Sequence, residues 1–155
     1  MRRGGLAAGL VLLASAVQAE CRDDRVEIRG DFGHARFAIE LADTAEERAR
    51  GLMYREAMPK SAGMLFVYPD ARAVAFWMQN TLIPLDMIFA DQTGTVIKVH
   101  HKAIPHDRTQ IPSDGPAQFV LEINGGMARA MGLAAGDVLR HPRIDQSGAA
   151  WPCDD

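Results

Sequence analysis

The residues from Phe76 to Asp86, FWMQNTLIPLD, hold the most varied chemistry in the chain. Trp77 and Met78 are adjacent, so on an extended strand their side chains face opposite ways. Asn80, Thr81 and Asp86 gather around Pro84, which cannot donate to a strand ladder and marks a strand end or edge. A large aromatic ring beside short polar groups at a strand end is a common lining for a binding cleft. Trp77, Asn80, Thr81 and Asp86 are therefore the candidate binding surface, and they are expected to lie open. The same residue types also suit plain structural duty, Asn80 and Thr81 as turn formers and Trp77 as a core plug.

Four charges fall inside or beside apolar runs: Glu40, Arg48, Asp86 and Glu122. A carboxylate placed there needs a partner or a shifted pKa. Glu40, Arg48 and Glu122 read as a supporting polar network in which Arg48 answers the acids. The sharper alternative is a carboxylate-based hydrolase acting on an envelope substrate, which needs two carboxyl groups facing one cleft roughly 5–9.5 Å apart. Asp86 and Glu122 are its candidates. No GxSxG word and no Ser–His pairing offers an activated nucleophile, so no catalytic residue is assigned.

His100, His101, His106 and Asp107 invite a metal reading. Neighbours on a strand face opposite ways and the spacings are not those of zinc sites, so no metal site and no cofactor is assigned. Met53, Met58, Met64, Met78, Met87, Met127 and Met131 leave a periplasmic copper carrier as a second alternative, since thioethers bind Cu(I). Most of these methionines sit in apolar runs, where the residue fills core gaps.

The elements that must position these groups are mostly strands. Val26–Arg29 and Phe32–Leu41 alternate apolar and polar residues around Gly30-Asp31 and read as a strand pair. Thr44 to Glu47 fits a capping box for a short helix ended by Gly51. Gly63–Tyr68 and Ala73–Met78 are apolar runs separated by Pro69-Asp70. Leu85–Ala90 and Thr95–His101 flank a Gly94 turn. Residues 103–116, with three prolines and no periodicity, read as a long loop. Ala117–Ile123 is a strand, Met127–Met131 a helical turn between Gly126 and Gly132, and Val138–Arg140 a last strand. Seven or eight short strands with two short helices predict a mostly β fold, a sandwich or barrel rather than alternating βαβ.

The first nineteen residues differ from the rest. Arg2 and Arg3 precede the apolar run Leu6–Val17, and Val17 and Ala19 put small residues before Glu20, the pattern of a cleaved secretory signal with its cut between Ala19 and Glu20. Twelve apolar residues are short of the ~20 a span needs. Residues 20–155 are then a single exported domain, expected in the periplasm, soluble and without a membrane span. The full chain carries 17 Lys and Arg against 20 Asp and Glu, a net of −3, and removing Arg2 and Arg3 takes it to −5. That balance argues against a nucleic-acid partner and leaves an unknown small molecule or envelope protein. Cys21 and Cys153, one at each end of the exported part, read as a disulfide, which brings the two chain ends together.

Three longer words occur in order: FAIELADTAEERARGLMYREAMPKSAGMLFVY, FWMQNTLIPLDMIFADQTGTVIKV and FVLEINGGMARAMGLAAGD. They resemble the domain of unknown function 192 family, from about Phe37 to Val138. The resemblance implies a compact, jelly-roll-like β-sandwich with short helices, and no established activity, cofactor or substrate. The functional expectation is a binding or interaction module of the cell envelope, centred on Trp77, Asn80, Thr81 and Asp86, with the 103–116 loop as its rim.

Overall fold

A computed structural model describes residues 21–154. The expected export signal and its Ala19–Glu20 cut lie outside the described residues. The first two strands, β1 (Arg25–Gly30) and β2 (Gly33–Ala42), pair antiparallel across a two-residue turn, with Gly30 opposite Gly33. Helix α1 (Ala45–Arg50) starts on the expected capping box: Glu47 N donates to Thr44 Oγ1 at 3.2 Å and Thr44 N to Glu47 Oε2 at 3.1 Å. Gly51, at φ 50°, closes it.

The next strand, β3 (Ala62–Phe76), corrects the sequence reading. Pro69-Asp70 does not stop it. The pairing of β3 with β6 (Ile111–Asn124) slips between Val67 and Arg72 and again between Ala73 and Ala75, and the irregularity absorbs the missing N–H of Pro69. Likewise the expected 103–116 loop is shorter. Residues 111–116 already belong to β6, where Pro112 and Pro116 sit at the irregular pairing and Ser113 Oγ accepts from Val74 N at 3.1 Å. Val74 N–H thus finds a side-chain acceptor where the ladder is out of register.

Between these strands come β4 (Leu85–Ala90) and β5 (Val96–Ala103). Helix α2 (Met127–Met131), between Gly126 and Gly132 as expected, and β7 (Val138–Arg140) complete the chain. Among the described residues all seven strands join one curled sheet, in the order β5-β4-β6-β3-β2-β1-β7. Its pairs are antiparallel apart from β2 with β3, which run parallel across the α1 connection. The curl brings its two edges together: Thr95 bridges Val138, and Leu139 N donates to Gly94 O.

Strand alternation sorts the core into two apolar clusters. Ile28, Phe37, Leu65, Ile88, Phe119, Leu121 and Ile123 belong to one, joined by α2 through Ala128. Met64, Phe66, Met87, Phe89 and Val120 belong to the other, covered by Leu52, Met58, Met78 and Leu85. Cys21 and Cys153 are joined in a disulfide with Cα atoms 5.4 Å apart. Beside it Trp151 is buried between the guanidinium groups of Arg29 and Arg140, 4.4 and 4.7 Å from its ring centre. Arg140 also pairs with the buried Glu27 at 2.9 Å. Among the described residues no helix is long and apolar enough to cross a membrane.

Candidate functional site

The register of the sheet places one acid in an unusual row. Glu122 of β6 lies opposite Met64 of β3 on one side and Met87 of β4 on the other. The same row continues to Glu40 of β2 beyond Met64 and to His100 of β5 beyond Met87. Laterally paired residues share a face, so Glu122 stands in the second apolar cluster with a thioether on each side. Neither thioether can donate a hydrogen bond.

Glu122 is 4% exposed and makes no hydrogen bond or ion pair among the described residues. Burial alone pushes its pKa up to about 8, so at neutral pH it is mainly a neutral acid, able both to donate and to accept. Burial likewise raises the phenol of Tyr68, and Glu122 adds to that rise. The acid reaches a small hollow of about 40 Å³ whose walls include Arg48, Met53, Phe66, Trp77 and Thr81. Arg48 does not form the expected ion pair with either glutamate. Its Nη1 donates to the carbonyls of Asp43 and Val67, at 2.5 and 2.9 Å, and its guanidinium lies 5.1 Å over the Tyr68 ring. Glu40 is held instead by Arg55 through two hydrogen bonds, 2.5 and 2.9 Å, and this bond holds its carboxyl below the usual range.

The segment after β3 covers this hollow. Trp77 is 47% exposed at its mouth. Asn80 takes φ 54°, accepts from Tyr54 N through its carbonyl and donates its side-chain amide to Met53 Sδ at 3.9 Å. Thr81 is buried, its Oγ1 donating to Gln79 O and its carbonyl accepting from His106 N. So Trp77, Thr81, Arg48 and Glu122 meet around one hollow, and Asn80 braces its edge.

Asp86 does not join them. It is fully buried, and its carboxylate accepts from three backbone amides: Lys102 N at 2.6 Å, Gly126 N at 2.9 Å and Ala128 N at 2.7 Å. Expected on the open surface, it instead ties β4 to the end of β5 and the start of α2. Its register partner is Ile123, the residue after Glu122, so the two acids lie on opposite faces of the sheet. They cannot face one cleft as the hydrolase reading requires.

Met78, the neighbour of Trp77, lines a second cavity of about 350 Å³. Both His100 and His101 line it as well, although plain alternation would part them. The cause is an extra residue in β5 between the pairs Leu85–Ala103 and Met87–His100, with Lys102 at φ 51°. Asp107 also lines this cavity, while no group of three or more His, Cys, Asp or Glu able to hold a metal occurs among the described residues. The lysines of this cavity, Lys98 and Lys102, escaped the sequence reading because an irregular strand leaves no period to follow.

Residues 26–141 match the family described as DUF192, uncharacterized ACR. No curated protein matches the chain. A protein of unknown function from Novosphingobium aromaticivorans is similar in structure, with 41% identity, a TM-score of 0.73, and coverage of 74% of this chain and 82% of that one. A Sinorhizobium meliloti protein, provisionally described as a transcription regulator, is 38% identical with a TM-score of 0.73, covering 78% of this chain and 95% of its own.

Proposed function

The chain belongs to the uncharacterized family DUF192, and from its own geometry we propose that it is a small-ligand binding module of the cell envelope. Its working surface is the hollow between Trp77 and Glu122. One observation carries this reading: a glutamic acid stands buried without a protein partner at the base of an opening rimmed by an exposed tryptophan. Leaving such a group unpaired is costly, and sites that bind a ligand are where that cost is commonly kept.

The chemistry of the hollow limits the ligand. About 40 Å³ admits a few waters or the tip of a molecule, not a whole one. A neutral carboxyl donates one hydrogen bond and accepts another, which suits a carboxamide or hydroxyl tip. The body of the ligand then lies over Trp77, in the manner of stacked sugars or peptide planes. A nucleic-acid partner, which the provisional description of the Sinorhizobium protein would suggest, fits poorly with an acidic chain.

The chain has two tryptophans, Trp77 exposed and Trp151 buried, so acrylamide quenching reads Trp77. Chito-oligosaccharides and short acetylated peptide amides, tested as two probe classes, should include one that shields Trp77. The shielding should fade as the pH passes 8, when Glu122 ionises, vanish in Glu122→Ala and persist in Glu122→Gln, whose amide still donates and accepts. Neither class shielding Trp77 at millimolar concentration, or shielding unchanged in Glu122→Ala, overturns the assignment.

A further inference from the structure

The larger cavity beside Met78 has a charge character unlike the rest of this acidic chain. Lys98, His100, His101 and Lys102 line it, against Asp107 as the acid in its wall. Lys98 is already engaged, by Asp114 at 2.6 Å and by the carbonyl of Pro112. Asp107 is turned to its own loop, accepting from Thr109 N at 2.8 Å. The Lys102 side chain is exposed and makes no ion pair among the described residues. Nδ1 of His101 is buried with no hydrogen-bond partner, an expensive arrangement for a ring nitrogen.

The clustering is built, not incidental. The extra residue in β5 places His100 and His101 along one wall, and Asp86 holds that irregularity by accepting from Lys102 N. The remaining wall is largely apolar, with Met78, Ala103, Ile104 and Ile111. A volume of about 350 Å³ falls in the range of small-molecule pockets.

We propose that this cavity binds a small carboxylate with an apolar body, the carboxylate meeting Lys102 and the two histidines and the body lying on Met78, Ile104 and Ile111. A phosphate fits less well, because the wall has no arginine fork. The groups facing His100 set the pH response. Burial first, then Lys98 and His101, hold its pKa below the usual imidazole range, while Asp86 pulls the other way. An anion arriving beside it favours the protonated ring, so binding takes up a proton and tightens as the pH falls from 7.5 to 5.5.

The test is an NMR titration of the disulfide-bonded protein with hexanoate and with its neutral counterpart hexanamide. Hexanoate should move the ring signals of His100 and His101, raise the titration midpoint of His100 and bind about tenfold tighter than hexanamide. Lys102→Met keeps the backbone N–H that Asp86 needs and should lose about fivefold in affinity, whereas Lys60→Met removes an equal charge outside the cavity wall and should lose none. Hexanoate binding no tighter than hexanamide, or losing as much in Lys60→Met as in Lys102→Met, overturns the proposal.

Discussion

Asp86 and Glu122 sit on the neighbouring strands β4 and β6, both buried, and their surroundings differ in every other respect. Asp86 turns toward α2 and collects three backbone N–H donors, closing the ladder end of β4, the irregular end of β5 and the first turn of α2 at one point. Glu122 turns to the other face, between two thioethers, and collects none. Burial is therefore a poor guide to duty. The donors within reach separate a carboxyl that holds a fold together from one that no donor satisfies.

The contrast is tested most severely at Asp86. Asp86→Ala leaves three backbone amides without their acceptor; that of Ala128 is buried and those of Lys102 and Gly126 are part-buried. A buried orphan donor costs about 1–3 kcal/mol and a part-buried one less, so the variant should lose about 4 kcal/mol in urea unfolding. A loss under about 1 kcal/mol would erase the distinction, returning Asp86 to the surface role its sequence context suggests.

Glu122 should behave in the opposite sense, with a sign that depends on pH. Its pKa is about 8 in the folded protein and near 4.5 in the unfolded chain. Between those values the unfolded chain gives up the proton and the folded protein keeps it, so the unfolded state gains relative to the folded one as the pH rises. Wild-type stability from this group is thus fully present below pH 4.5 and is lost progressively up to pH 8. Glu122→Gln cannot ionise. It should match the wild type near pH 4.5 and exceed it by about 4 kcal/mol at pH 9, as read from urea midpoints, close to the full linkage of the shifted carboxyl. Parallel pH profiles for the two proteins would mean that Glu122 finds a partner after all.

How much of this was legible beforehand follows the distance between the interacting groups. The capping box of Thr44 and Glu47, the glycines around α2 and the alternation that sends Leu65 and Leu121 one way and Met64 and Glu122 the other are all local signals, and each element stands where its residues imply. The pairing of Cys21 with Cys153 followed from the compartment expected of the chain rather than from spacing. The partners of Asp86 lie 16, 40 and 42 residues away, and no local pattern announces them. Arg48 and Arg55 both follow β2, and only the folded chain decides that the second meets Glu40. The prolines at 69, 112 and 116 read as breaks because a regular strand rejects them. An irregular ladder accepts them, and irregularity is a property of two strands together.

The smallest effect belongs to Trp77, and it separates the two kinds of residue most cleanly. A ring 47% exposed loses little when removed, since much of its surface already meets water. Trp77→Ala should lower stability by about 1 kcal/mol or less, while abolishing the shielding by whichever probe class binds at the hollow. Were Trp77 a core plug, the same change would cost about 3–5 kcal/mol, as for a buried aromatic. A stability loss confined to the small value, together with a complete loss of binding, is the pattern of a side chain that serves the ligand. Asp86→Ala, which perturbs the fold first, cannot produce it.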